Sequence, residues 1–264
     1  MRLPARKGGG GRDGPVMGGN FMTRTAIIHG GAGGIGAATA KQLSAQGFRL
    51  HLVGRDADKL AGVAGPLGAT FTAGDVTDAS LFARVMAESG FSSLDALVYA
   101  VGTINLKPLQ RLTEADFFRD FQVNALGAAL AVQAALPALK AAEATSSVVL
   151  FSTVAVAQGF TAHASVSMAK GAVEGLVKAL GAELAPKVRV NAIAPSLTKT
   201  PLAKALTGNE AMAKAIGEMH ALQRLGEAED VAGLAAFLAG GQSGWITGQV
   251  FAVDGGRSTL RTKG

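Results

Sequence analysis

Residues 29–36, HGGAGGIG, constrain this chain more than any other segment. An apolar run of strand length, 25–29 (TAIIH), leads into them, and a helical pattern, 35–46, leads out. A glycine-rich turn between a strand and a helix, inside a βαβ unit, has the form of a phosphate cradle. Gly30 permits the tight turn, Gly34 lets the backbone approach a pyrophosphate, and Gly36 lets the helix lie close to the strand. The N-terminus of the helix, with Ile35 in its first turn, offers free N–H groups and a positive dipole end. The alternative reading is a plain flexible loop.

The rest of the chain continues the alternation. Strands are predicted at 49–53, 69–72, 96–100, 147–151, 188–193 and 249–253. Helices are predicted at 80–89 with a serine cap, at 114–141 behind a Thr113/Asp116 capping pattern, and at 165–185. Two more are placed near 209–219 and 229–238. Strands alternating with helices imply a parallel sheet covered on both faces. The expected fold class is α/β: a single Rossmann-type doubly wound domain of about seven parallel strands with helices on both faces. No linker interrupts residues 22–256 and no fixed repeat is visible, so the domain is assigned to 22–264. Residues 1–21 are read as a disordered Gly-rich basic leader or an upstream-extended start, because Met17 and Met22 both precede the first strand.

The net charge of +6 could suggest a nucleic-acid partner. It divides into +3 in residues 1–21 and +3 in 257–264, and residues 22–256 sum to zero. The charge therefore sits at the ends rather than on a folded face, and no nucleic-acid surface is expected. Neither a signal peptide nor a membrane span is visible, so a cytoplasmic protein with no membrane partner is expected. The absence of cysteine excludes thiol catalysis, disulfides and Cys-ligated metals. His29 has no partner cluster for a metal.

Which dinucleotide fits is read at the end of the second strand. An NAD site places an acid there for the ribose 2′-hydroxyl, whereas an NADP site uses an arginine. Here Gly54 and Arg55 occupy that place. No acid repels a 2′-phosphate and a guanidinium can pair with it, so NADP(H) is favoured over NAD(H). The competing reading pairs Arg55 with Asp56 or Asp58.

Taken in order, these motifs resemble the short-chain dehydrogenase/reductase family over nearly all of residues 23–256. HGGAGGIG is similar to the family's TGxxxGxG, with His29 in place of Thr. Asp75 in GDVTD looks like the acid that contacts the adenine, with Val76 beside it. YAVG, 99–102, stands where the family shows NNAG, and only Gly102 matches. Asn124 in VNALG resembles the active-site Asn. NAIAPSLTKT resembles the stretch that closes over the nicotinamide, which implies cofactor contacts at Pro195 and Thr200, and Ser196 replaces a Gly. GWITGQVFAVDGG closely matches the family's C-terminal strand.

The resemblance implies hydride transfer between a nicotinamide and a small carbonyl or alcohol, carried by Ser, Tyr, Lys and Asn. Lys170 matches the Lys, which also binds the cofactor's ribose. Thr153 stands at the Ser position, and Val166, four residues before Lys170, stands at the Tyr position. The only tyrosine of the chain is Tyr99, so no Tyr-to-Lys spacing can be built on this helix. His163 is three residues before Val166 and shares its face if the helix extends back that far. An imidazole there could donate the proton. The catalytic candidates are therefore Asn124, Thr153, Lys170 and His163. Each has a structural alternative: a helix brace for Asn124, a strand end for Thr153, an exposed helix position for Lys170 and a polar helix start for His163. Tyr99 is read as strand packing near the adenosine.

The sequence thus predicts an NADP(H)-dependent oxidoreductase acting on a small molecule with an altered acid/base set. The alternatives are a silent dinucleotide-binding protein or partner subunit, or a lyase or isomerase on the same fold. Residues 202–219 are expected to form a lid. The family pairs through its fourth and fifth helices into dimers or tetramers, and those helices are Ala-rich here, so a homo-oligomer is expected.

Overall fold

The computed structural model describes residues 23–261, and the leader predicted at 1–21 lies outside them. Strands β1 (Thr25–His29), β2 (Arg49–Gly54), β3 (Thr70–Ala73), β4 (Ala96–Tyr99), β5 (Ser146–Phe151) and β6 (Val188–Pro195) follow one another along the chain. A two-residue ladder, β7 (Thr198–Lys199) with β8 (Gly226–Glu227), precedes β9 (Val250–Val253). The main sheet has seven strands in the order β3-β2-β1-β4-β5-β6-β9, and every pair is parallel. β1, β4 and β5 are buried at every residue, as parallel strands covered on both faces must be. The chain reverses its winding between β1 and β4, and such a switch point opens a crevice at the C-terminal strand ends.

Helices α1 (Gly34–Ala45), α2 (Ala57–Leu67) and α10 (Ala228–Ala239) cover one face through Leu43, Leu60 and Val231. Helices α3 (Ser80–Ser89), α5 (Gly127–Ala141) and α7 (Ala164–Leu184) cover the other through Val85, Leu139 and Val177. α4 (Glu114–Phe121) opens on the predicted Thr113/Asp116 capping box. The stretch Glu114–Ala141 is apolar and long enough to cross a membrane, but it is a core helix carrying the buried polar residues Asp120 and Asn124.

Three local expectations are corrected. α2 was not predicted, because its glycines and Pro66 obscure the helical period. It is held by an Asp56 N-cap, which accepts from Lys59 N at 3.1 Å, and by left-handed Gly68 after its end. The serine cap of α3 does not form: Ser80 is the first helical residue, and its N–H and hydroxyl donate to Asp78 Oδ1 at 2.9 and 2.7 Å. The helix predicted at 114–141 forms over that whole span, but not with regular α geometry: a π-turn at Gln122–Leu126 widens it at the candidate site. A short helix α6 (Val154–Gln158) and two lid helices, α8 (Lys204–Thr207) and α9 (Glu210–Gly217), complete the fold.

Two histidines are enclosed in the sheet. His29 lies between the rings of Phe82 and Tyr99, at centroid distances of 5.7 and 5.6 Å. Burial, reinforced by the charge of His51, pushes its pKa down to about 3. His51 lies between the hydroxyls of Thr70 and Thr72, and burial takes it to about 4 against the opposing pull of Glu88. Both folded values lie below the unfolded 6.5, so the unfolded chain takes up protons first as pH falls. The stability held by the neutral rings is complete above pH 6.5 and is lost toward pH 4. For His29 the loss reaches about 2 kcal/mol at pH 5. Melting curves from pH 7.5 to 4.5 should show this decline, with a shallower slope for His29→Phe; equal slopes would contradict it.

Candidate active site

The glycine turn ends β1 and is fastened to β2, because Gly30 N and Gly31 N both donate to Val53 O, at 2.8 and 3.0 Å. Gly30 has φ +80°, and a Cβ there would lie 2.6 Å from Ala100 O. A Cβ on Gly36 would collide with the Gly30 carbonyl. These contacts bring the start of α1 against the switch point. Gly34, Ile35 and Gly36 give no N–H to a protein acceptor among the described residues, and the first turn of α1 holds no acid. This is a vacant donor set of the kind that suits a phosphate. Gly34 faces the Thr200 side chain, where a Cβ would lie 2.7 Å from Thr200 Cγ2. The two ends of the predicted cofactor track therefore meet.

Arg55 is exposed at the end of β2, with no hydrogen bond or ion pair among the described residues. The pairing with Asp56 or Asp58 considered above does not form, because Asp56 caps α2 and pairs with Lys59 at 3.0 Å. Asp75 Oδ1 accepts from Thr77 N and Oγ1, at 2.9 and 2.8 Å. Those hydrogen bonds, with the charges of Arg119 and Arg55, hold its carboxyl below the usual range despite partial burial. Val76 is buried beside it. Arg119, 3.9 Å from Asp75 Oδ2, was not singled out in the sequence.

At the other end of the crevice the π-turn decides the geometry. Gly127 N reaches back five residues to Gln122 O, which releases the Val123 carbonyl from its normal helical partner. The Tyr99 hydroxyl donates to that carbonyl at 2.7 Å. A Cβ on Gly127 would collide with this hydroxyl. Tyr99 is 1% exposed and does not line the cavity, so the one tyrosine serves as a brace, and burial pushes its phenol pKa further up. Asn124, inside the π-turn, donates from Nδ2 to Asp120 O at 2.7 Å and Thr103 Oγ1 at 2.8 Å. Thr103 in turn donates to Asp120 Oδ1 at 2.7 Å, and the Ser165 hydroxyl donates to Asp120 Oδ2 at 2.6 Å. This buried carboxylate network was missed in the sequence. Its signal was a charged residue four positions before Asn124, on the same helical face.

A Cβ on Gly102 would meet Asn124 Oδ1 at 3.2 Å and Lys170 Nζ at 3.3 Å, so both side chains converge on that glycine. Lys170 is buried, donates to Phe151 O at 2.8 Å, and has its pKa lowered by burial to about 8, with Asp120 opposing the shift. It is not the exposed helix lysine of the alternative reading. Lys170, Val166, Thr153, His163, Pro195 and Ile35 line one cavity of about 670 Å³. Thr153 caps α6, its Oγ1 accepting from Ala155 N at 3.3 Å. His163 precedes the first residue of α7, and its Nδ1 lies 2.7 Å from Thr161 O. The predicted lid supplies Leu202, Leu206, Ile216 and Met219 to the cavity wall. His220, also missed, is buried behind the lid, with Nδ1 on Ile216 O at 2.9 Å and Nε2 on Ser196 Oγ at 2.8 Å. No group of three or more metal-ligating side chains occurs among the described residues.

Residues 30–258 match a family model described as enoyl-(acyl carrier protein) reductase. The chain belongs to the short-chain dehydrogenase/reductase family. It is 33% identical over 255 residues to the L-2,3-butanediol dehydrogenase of Corynebacterium glutamicum, covering 89% of this chain and 98% of that one. It is 35% identical to the cis-4-hydroxycyclohexanecarboxylate dehydrogenase of Sinomonas cyclohexanicum, covering 92% of this chain and all of the other. A solved short-chain dehydrogenase/reductase from Mycobacterium ulcerans superposes with a TM-score of 0.84 at 30% identity, covering 91% of this chain and 92% of that one. The chain is accordingly an NAD(P)-dependent oxidoreductase by class.

Two stability outcomes follow from this geometry. Tyr99→Phe leaves a buried Val123 carbonyl unsatisfied and should cost about 1–3 kcal/mol in urea unfolding. An unchanged midpoint would remove the brace. Lys170 has a folded pKa of about 8 against 10.5 unfolded, so its burial opposes folding below pH 8 and the penalty fades as pH rises to 10.5. The melting temperature of Lys170→Met relative to the parent should therefore fall steadily between pH 7.5 and 10; a constant difference would show that Lys170 does not titrate there.

Proposed function

We propose that this protein transfers hydride between NADP(H) and a small carbonyl or alcohol, with Val166 standing where relatives carry the acid/base tyrosine. The observation that carries the reading is the single cavity that joins the start of α1 to Lys170, Thr153 and His163. The residues fit the cofactor: a free helix N-terminus for pyrophosphate, an unpaired Arg55 for a 2′-phosphate, and Asp75 with Val76 for the adenine end. Gly102, Pro195, Thr200 and Lys170 hold the nicotinamide end. A bound nicotinamide supplies or accepts the hydride.

The remaining steps belong to the side chains. The Thr153 hydroxyl accepts from Ala155 N and keeps its own proton for a substrate oxygen. In the neutral ring, a proton on His163 Nδ1 is committed to the Thr161 carbonyl, which leaves Nε2 as the atom that gains or gives a proton in the cavity. Lys170, whose ammonium donates to Phe151 O, would offer its remaining N–H groups to the ribose hydroxyls of a bound cofactor. Asn124 holds the Gly102–Thr103 segment in position. Water is the competing donor. The absence of tyrosine from the cavity lining favours one second reading, a silent cofactor-binding protein. Exposed Phe118, Phe121 and Met168 on α4 and α7 support a homo-oligomer.

NADPH should bind at least about tenfold tighter than NADH by fluorescence titration, and Arg55→Ala should erase the difference. Equal affinities in the parent would overturn the NADP(H) assignment. In carbonyl reduction, His163→Ala should lower kcat about 10²–10⁴-fold, and Val166→Tyr should raise it. Parent rates in His163→Ala would leave water as the donor. Cofactor binding without turnover on any carbonyl or imine would establish the silent reading instead.

A further inference from the structure

The cavity lining holds two basic side chains, Lys170 and Arg257, and no carboxylate among the described residues. Lys170 has a carbonyl partner and the charge of Asp120 behind it. Arg257 has neither. Its guanidinium makes no hydrogen bond or ion pair among the described residues, and one terminal nitrogen is withdrawn from solvent without a partner. It stacks on the Phe160 ring, whose centroid is 4.9 Å from the guanidinium carbon. The His163 ring lies edge-on to Phe160 at 5.4 Å. The arginine, the ring and the imidazole thus form a continuous edge of the cavity.

The backbone fixes the arginine there. Arg257 N donates to Asp254 O at 3.1 Å, and Gln158 Nε2 donates to Arg257 O at 3.4 Å. The nearest carboxylate in sequence, Asp254, is taken up by the turn itself: it accepts from Gly256 N at 2.9 Å, from Ser258 N at 2.8 Å and from the Ser258 hydroxyl. It makes no hydrogen bond or ion pair with the guanidinium among the described residues. A charge partly removed from water, with no counter-ion, is costly until a ligand supplies one.

We infer that Arg257 recognises a carboxylate on the substrate, so that the substrate class is a small oxo- or hydroxy-carboxylate on an apolar carbon frame. The guanidinium fork matches the two oxygens of a carboxylate. The frame is set by Ile104, Leu106, Val154, Leu202 and Met219, which offer no polar side-chain atoms for further oxygens. The inference rests on the oxidoreductase reading for the reaction, and on Arg257 alone for the anion.

The test titrates the protein, at saturating NADPH, with cyclohexanecarboxylate and with cyclohexanecarboxamide, a pair alike in shape and different in charge. The carboxylate should bind roughly ten- to a hundredfold tighter. Arg257→Gln should abolish that preference, Arg257→Lys should retain part of it, and NADPH affinity should be unchanged in both. Equal binding of the two probes by the parent overturns the inference without any variant. So does a preference that survives in an Arg257→Gln protein with a normal melting curve, or a loss of NADPH affinity in that variant. Carboxylate-selective binding without turnover of 4-oxocyclohexanecarboxylate or any other carbonyl or imine upholds the anion site and overturns the oxidoreductase reading. Reduction of 4-oxocyclohexanecarboxylate and its carboxamide at equal kcat/KM does the reverse.

Discussion

The hydrogen bond from the Tyr99 hydroxyl to the Val123 carbonyl joins the sheet to the helix that carries the site. A π-turn frees a carbonyl by skipping one helical partner, and in a buried helix that carbonyl must be satisfied. Tyr99 does so from the C-terminal end of β4, and Gly127 makes room by having no side chain. The widened turn then places Asn124 over Thr103 and Gly102, and Gly102 is the glycine on which Lys170 also converges. One phenol thus fixes the relation between the sheet, the long helix and the buried ammonium.

The same dependence runs through the glycine turn. Gly30 and Gly36 draw α1 onto the switch point because their neighbours are backbone carbonyls that no Cβ could approach. The result is a helix N-terminus with unspent donors at one end of a cavity and a desolvated lysine at the other. Both are electropositive: the helix start has no acid in its first turn, and the lysine is balanced only in part by the charge of Asp120.

The architecture was legible in the sequence because it depends on short-range signals. Apolar runs such as TAIIH and SVVLF mark buried strands, and the Thr113/Asp116 box marks a helix start. The π-turn was not legible, because QVNAL carries an ordinary helical pattern and the cause of the distortion, Tyr99, lies 24 residues away. The Asp120 network and the buried His220 were hidden for the same reason: their partners come from other elements. α2 was obscured differently, by local glycines and Pro66 that a tertiary environment tolerates.

The tyrosine count takes its meaning from this comparison. A sequence with one tyrosine at 99 and valine at 166 poses the question of where a proton comes from. Tyr99 cannot supply it, because its hydroxyl is spent on Val123 and is 1% exposed. Lys170 lines the same cavity as Val166, with an ammonium whose lowered pKa makes it a better proton reservoir than an exposed lysine. Val166 itself has no group that can give or take a proton. The proton donors left to the cavity are water and His163, whose ring stands against Phe160, the ring that also carries Arg257.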